Sequence, residues 1–246
     1  MKQKPCIAVV LAAGTGSRMH SSVAKQFMEL QGKPLIFYAL KAMEESEVID
    51  TCILVTGEAH ISYVKREIVE RFGFRKVQAV IAGGEERYAS VACAMRYIRE
   101  TMKGSEGFVF IHDGARPFLT GQILRDTYEA VQTFGACVAA VPSKDTVKLT
   151  DAEGFAVETP DRRRVWNVQT PQVFERKLIT DCYAKLDEEA AKCVGEALPV
   201  TDDASVVEMF SDCRVRMVPS SYENIKVTTP DDLVIAEAFL NNRRQK

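Results

Sequence analysis

Short runs rich in Val and Ile recur between longer segments of helical period: Ile7 to Leu11, Cys52 to Thr56, Val77 to Ile81, Phe108 to His112 and Cys137 to Val141. They are apolar at consecutive rather than alternate positions, so both faces of each strand need cover, as in central parallel strands sandwiched between helices. The pattern predicts an α/β fold with a doubly wound, mostly parallel sheet. Two helices carry local signals. Lys33-Pro34 sets a proline at a helix start before LIFYALKAMEES, and Glu85 to Met102 places Val91, Ala94, Met95 and Ile98 on one core-facing stripe.

The alternation breaks after Val141. Ser143 to Trp166 reads as a strand (DTVKL), a turn at Asp151 to Gly154, and a second extended piece ending in the basic patch Arg162 to Arg164. With few bulky apolar residues to anchor it, this hairpin is expected to project as an arm that needs a partner surface. Helical period returns from Glu175 to Ala191 and from Asp202 to Phe210, where Thr201 is a candidate N-cap. Strands are expected at Val215 to Val218 and Ile225 to Val227, and Pro230 opens a last helix, DDLVIAEAFL. No linker, repeat or low-complexity tract interrupts the chain, so residues 1–246 read as a single domain with residues 142–166 as a dimerisation arm.

Charge narrows the function. The 246 residues hold 32 Lys+Arg against 34 Asp+Glu, which argues against a dedicated nucleic-acid or anionic-membrane binder. Seven cysteines show no CxxC, no Cys-His cluster and no framework spacing, which fits reduced thiols in the cytoplasm. Lys2 and Lys4 precede the apolar run CIAVVLAA, which passes into a Gly-rich loop and reads as a buried first strand, not a signal peptide. No run approaches the ~20 apolar residues that span a bilayer.

The chemistry concentrates in LAAGTGSRMHSSVAKQF, residues 11 to 27, directly after the first strand. Open α/β sheets bind ligands at the carboxyl ends of their strands, and Gly14 and Gly16 let the main chain approach phosphates and offer N–H groups. Arg18 and Lys25 add cations. The dinucleotide fingerprint wants a third glycine where Met19 stands, and no GxxxxGK[ST] occurs.

In order along the chain, LAAGTGSRM, KQF, GGEERYAS, HDGARPF, KDT, QTPQVF, TDDAS and NIKVTTPDDL resemble the motifs of the sugar-phosphate nucleotidyltransferases. Within that family the resemblance is to the branch that transfers a cytidylyl group from CTP to 2-C-methyl-D-erythritol 4-phosphate in non-mevalonate isoprenoid synthesis. Ala24 departs from it, since related enzymes often have proline before the lysine. The resemblance implies a Rossmann-like nucleotidyltransferase fold, a homodimer, and Mg²⁺ carried mainly by the CTP phosphates, with no protein metal site assigned. Ala12, Ala13, Gly14 and Gly16 would bind CTP, with Arg18 and Lys25 facing its phosphates. Gly84, Glu85 and Ser90 would read cytosine and its surroundings. Asp113 and Arg116 would line the ribose and acceptor site, with Thr170 and Thr201 at further pocket positions and Lys226 nearest the reacting α-phosphate. Thr146 and Arg162 would reach from the arm into a neighbouring subunit to hold the acceptor, a polyol phosphate.

The residues suit the chemistry independently. A phosphate monoester with a second pKa of about 6 is largely a dianion at neutral pH, so phosphate-on-phosphate transfer needs cations and no general base. His112 accordingly reads as a buried structural histidine. The alternatives are ribitol-5-phosphate cytidylyltransferase, a silent nucleotide-binding module and, at fold level, a nicotinamide dehydrogenase. The ribitol branch typically resembles LAGG and HDAVRP, where this chain has Ala13, Gly114 and Ala115.

Overall fold

The computed structural model describes residues 4–14, 24–192 and 199–244. The chain opens with β1 (Cys6–Ala12), then a small hairpin of β2 (Glu29–Leu30) and β3 (Lys33–Pro34) that leads into α1 (Leu35–Glu45). The alternation continues through β4 (Thr51–Thr56), α2 (Ile61–Tyr63) with a π-helical extension over Val64–Glu70, β5 (Val77–Ala82), α3 (Arg87–Thr101), β6 (Phe108–Asp113) and α4 (Gly121–Phe134). After β7 (Ala136–Pro142) come the arm strands β8 (Leu149–Thr150) and β9 (Ala156–Glu158), then β10 (Trp166–Glu175), α5 (Arg176–Lys192), α6 (Asp203–Phe210), β11 (Arg216–Pro219) and α7 (Pro230–Arg244).

Seven strands form one sheet in the order β11-β7-β10-β6-β1-β4-β5. β6, β1, β4 and β5 pair in parallel, as do β7 and β11, while β10 runs antiparallel between β6 and β7. The sheet is therefore mostly parallel, with helices on both faces. Strand periodicity sends Cys6, Ala8, Val10 and Ala12 into one core with Ile36, Leu40, Ile123 and Leu124, and Ile7 and Val9 into another with Val91, Met95, Ile179 and Tyr183. The stripe of Val91, Ala94, Met95 and Ile98 is buried throughout. Each such large side chain contributes on the order of 1.5–3 kcal/mol on burial.

One strand lies where the sequence carries no expectation, and two expectations need correction. Trp166–Glu175 is a central strand of the sheet, although its sequence lacks an apolar run. Its buried Gln169, Thr170 and Gln172 are polar, and each is satisfied by partners far away in sequence: Asn224 for Gln169 and Thr170, and Asp202 and the Ala204 N–H for Gln172. Ile225 to Val227 is not a strand. It is an irregular segment whose Val227 N–H donates to the Ala115 carbonyl at 2.9 Å, a single bond to the loop after β6 and not a ladder. The N-cap of α6 is Asp202, not Thr201: the Asp202 carboxylate accepts from the Ser205 N–H while Ser205 Oγ accepts from the Asp202 N–H, a reciprocal capping box.

The arm is a short hairpin whose turn is held by Asp151, which accepts from the Glu153 and Phe155 N–H groups. Its apolar residues Leu149, Phe155 and Val157 face solvent, Phe155 being 69% exposed.

Candidate active site

β1 and β6 lie side by side, so Ala12 and Asp113 emerge at the same carboxyl edge of the sheet. A cleft opens there, lined by Ala12, Ala13, Gly14, Lys25, Gly84, Glu85, Ser90, Asp113 and Lys226 among others. Its floor is fixed by the main chain. The Ala12 carbonyl accepts from the buried Gln26 side chain at 2.5 Å, the Gly83 N–H donates to the Thr56 carbonyl, and Ser90 Oγ donates to the Gly84 carbonyl at 3.2 Å. A β-carbon on Gly83 would lie 2.6 Å from Ser90 Oγ and 2.7 Å from the Ala13 Cβ, so the two loops touch only because residue 83 has no side chain.

Asp113 is the electrostatic centre. Lys226 Nζ is 2.9 Å from its Oδ2, Arg116 Nε 3.5 Å from the same oxygen, and Arg87 Nε 3.3 Å from Oδ1. Burial opposes the Asp113 charge, but Arg87, Lys226 and Arg116 outweigh it and hold the carboxyl far below the usual carboxylate range. Lys226 reaches the cleft because the Val227 N–H bonds to the Ala115 carbonyl and Arg116 Nη1 donates to the Asn224 carbonyl at 2.8 Å. Asp232, at the start of α7, accepts from the Thr228 and Thr229 N–H groups. Burial opposes its charge too, and those two N–H groups together with the nearby Lys25 lower its pKa.

Beneath Asp113, His112 is fully buried. Its Nε2 lies 3.3 Å from the Arg116 carbonyl, which can only accept, so Nε2 carries the proton and Nδ1 accepts from the Thr170 hydroxyl at 3.0 Å. Thr170 Oγ1 in turn accepts from the Asp113 N–H at 3.1 Å. Burial pushes the His112 pKa down to about 4, despite the neighbouring Asp113 charge. It is a neutral structural support for the end of β6 that carries Asp113.

The structure thus gathers nine of the sequence-selected residues in one cleft and places Arg116 and Thr170 directly under it. Thr146 and Arg162 stand exposed on the arm, where Arg162 Nη1 donates to the Lys144 carbonyl, and Thr201 is exposed just before α6. Gly16 and Arg18 lie outside the described residues. Sequence reading passed over Gly83, Gln26, Arg87 and Asp203. Arg87 and Asp203 stand inside the motifs GGEERYAS and TDDAS, but only their mutual contact marks them, Arg87 Nη2 lying 2.7 Å from Asp203 Oδ2.

Among the described residues no group of three His, Cys, Asp or Glu side chains is placed to hold a metal. Asp113 is already engaged by three cations. A divalent ion carried on a substrate's phosphates would need no such group and would neutralise phosphate charge there.

Residues 6–242 match the model of the family IspD, 2-C-methyl-D-erythritol 4-phosphate cytidylyltransferase. A 2-C-methyl-D-erythritol 4-phosphate cytidylyltransferase from Lachnospira eligens is 47% identical over 95% of this chain and 98% of its own, and one from Lachnoclostridium phytofermentans is 43% identical over 96% and 97%. Among solved structures, a 4-diphosphocytidyl-2C-methyl-D-erythritol synthase from Anaerococcus prevotii superposes with a TM-score of 0.81 at 30% identity, covering 98% of this chain and 100% of that one.

Proposed function

Because the chain belongs to the 2-C-methyl-D-erythritol 4-phosphate cytidylyltransferase family, and so transfers a cytidylyl group from CTP to that acceptor in isoprenoid synthesis, we propose that the reaction takes place in the cleft at the ends of β1 and β6. The observation that carries this reading is the convergence of the bare main chain of Ala12 to Gly14 with Lys25, Lys226 and Asp113 around one opening. Ala12, Ala13, Gly14 and Gly16 hold the nucleotide, and Gly84, Glu85 and Ser90 surround its base. Asp113, Arg116, Thr146, Arg162, Thr170 and Thr201 serve the acceptor, and Arg18, Lys25 and Lys226 are the catalytic cations.

An oxygen of the acceptor's phosphate dianion forms a bond to the α-phosphorus of CTP. The bond from that phosphorus to the bridging oxygen breaks, and its electron pair leaves with pyrophosphate. No proton need move. Repulsion between the dianion and the triphosphate, and charge building on the leaving group, are what the lysines and Arg18 offset, which is catalysis by positioning and electrostatics. Mg²⁺, carried by the CTP phosphates, would supply further neutralisation beside Lys25 and Lys226.

The enzyme works as a homodimer through the arm, a reading supported by the solvent-facing Leu149, Phe155 and Val157 on a hairpin with little core of its own. The cysteine pattern favours the cytoplasm. Among the described residues no helix is long and apolar enough to cross a membrane. The test is pyrophosphate release with CTP and either 2-C-methyl-D-erythritol 4-phosphate or ribitol 5-phosphate, assayed side by side. Release with the former and little with the latter is expected, and the reverse order overturns the acceptor assignment.

A further inference from the structure

Arg87 is the first residue of α3, at the rim of the cleft, and its guanidinium spans two carboxylates. Nη2 lies 2.7 Å from Asp203 Oδ2 and Nε 3.3 Å from Asp113 Oδ1. Asp203 is fully buried, and its other oxygen accepts from the Tyr183 hydroxyl at 2.7 Å. Tyr183 sits in the core on α5 and Asp203 at the start of α6, so this end of the bridge is anchored in the core.

A cation at the first position of a helix has the sign that the helix dipole disfavours. Burial also works against the charge, yet Asp203 and Asp113 outweigh it and raise the Arg87 pKa. Neutralising Asp203 alone would not require contact with the cleft. The planar fork of an arginine can hold two carboxylates in fixed directions, which an ammonium cannot. Oδ1 of Asp113 faces Arg87 while Oδ2 faces Lys226 and Arg116, so the grip on Oδ1 fixes which oxygen Lys226 meets. Phosphates arriving at Lys226 would repel Asp113 and compete for its lysine. Arg87, tied to the core, opposes that displacement.

We propose that Arg87 is a positioning residue: anchored on Asp203, it holds the Asp113 carboxylate in the orientation that sets Lys226 for the reacting phosphates. This rests on the assignment of Asp113 and Lys226 to the active cleft.

The test is a double-mutant cycle on kcat/KM for 2-C-methyl-D-erythritol 4-phosphate at saturating CTP, using Arg87→Gln, Asp113→Asn and the double variant. If Arg87 acts through Asp113, Arg87→Gln alone lowers kcat/KM by about tenfold or more, chiefly in kcat, and adds less than about twofold to Asp113→Asn. Arg87→Lys should recover part of the loss. A purely structural Arg87 would lower the melting temperature but multiply its kinetic effect onto Asp113→Asn, or leave kcat/KM unchanged, and either result overturns the proposal. Should Arg87→Gln fail to fold because Asp203 is left unpaired, the same cycle is run with Arg87→Lys, which keeps a positive charge beside Asp203 but cannot bridge both carboxylates, and the same outcomes decide. Full activity of Asp113→Asn would instead overturn the assignment of the cleft residues, and this inference with it.

Discussion

Lys226 Nζ lies 2.9 Å from Oδ2 of Asp113, so the lysine proposed to meet the reacting phosphates is paired with a carboxylate at the end of the central strand β6. Residues on two distant parts of the chain are locked into one charge arrangement. Arg87 and Arg116 would still compensate Asp113 if Lys226 turned to a phosphate, so the carboxylate need not follow its lysine.

Lys226→Met and Lys25→Met should each lower kcat far more than they raise KM for the acceptor, because both cations act on charge that develops in the transition state. The expected loss is ~10²- to 10³-fold in kcat. Steady-state kinetics on variants with unchanged circular dichroism provides the check, and a near-normal kcat for either removes that residue from the catalytic set.

CTP should be preferred over UTP, and over ATP and GTP by more. The proposed base-binding loops approach closely at Ala13 and Gly83, which is expected to favour a pyrimidine over the larger purine. Telling C from U depends on polar contacts to the exocyclic amino group, and an unpaired buried polar group costs ~1 to 3 kcal/mol, roughly tenfold to a hundredfold. Equal turnover of CTP and UTP would contradict this.

Gly83→Ala should damage nucleotide binding without unfolding the chain. The added methyl would sit 2.6 Å from Ser90 Oγ and 2.7 Å from the Ala13 Cβ, forcing the two nucleotide loops apart. A rise in Kd for CTP of about tenfold is expected from a disturbance of ~1 to 2 kcal/mol. Calorimetric titration of CTP against both proteins measures it, and unchanged affinity refutes the close-packing account.

His112 gives stability a pH dependence of known sign. Its folded pKa is about 4 against an ordinary value of 6.5, so the unfolded chain takes up the proton first as pH falls. Stability from neutral His112 is complete above pH 6.5 and is lost as pH drops toward 4, at up to ~1.4 kcal/mol per pH unit. Urea unfolding of the wild type and His112→Asn across this window should show the wild type losing ground relative to the variant as pH falls. Parallel curves would mean that His112 binds its proton equally well in the folded and the unfolded chain, and would refute the buried neutral imidazole.

If Arg162 completes the partner's site, Arg162→Met and Lys226→Met homodimers should both be nearly inactive, since every site lacks one residue. In a mixed dimer one site collects both defects and the other is intact. Random re-pairing after joint refolding makes half the dimers mixed, so ~25% of all sites should regain activity under two-fold symmetric exchange. No recovery from a chromatographically verified mixed dimer would place the arm on its own subunit.

Much of this was legible in the sequence because it is local. The runs at Ile7, Cys52, Phe108 and Cys137 announce buried strands, and the helical stripe through Val91 and Ile98 is buried as its period requires. The loop after β1 marks itself as a candidate phosphate site by its glycines and cations. The central strand Trp166–Glu175 was illegible: its buried Gln169, Thr170 and Gln172 look like loop residues until Asn224 and Asp202 arrive to bond them.

The sequence by itself determined the layered α/β class and the candidate residues of the cleft, since hydrophobic period and short motifs are properties of neighbouring positions. Only the tertiary structure decided which charges meet. Asp113 reads as one acid among many until folding sets Arg87, Arg116 and Lys226 around it, and Arg87 looks like a surface cation until it meets Asp203. Coulombic pairing depends on distance in space and on the loss of water at burial, and neither is written in the spacing of residues along a chain.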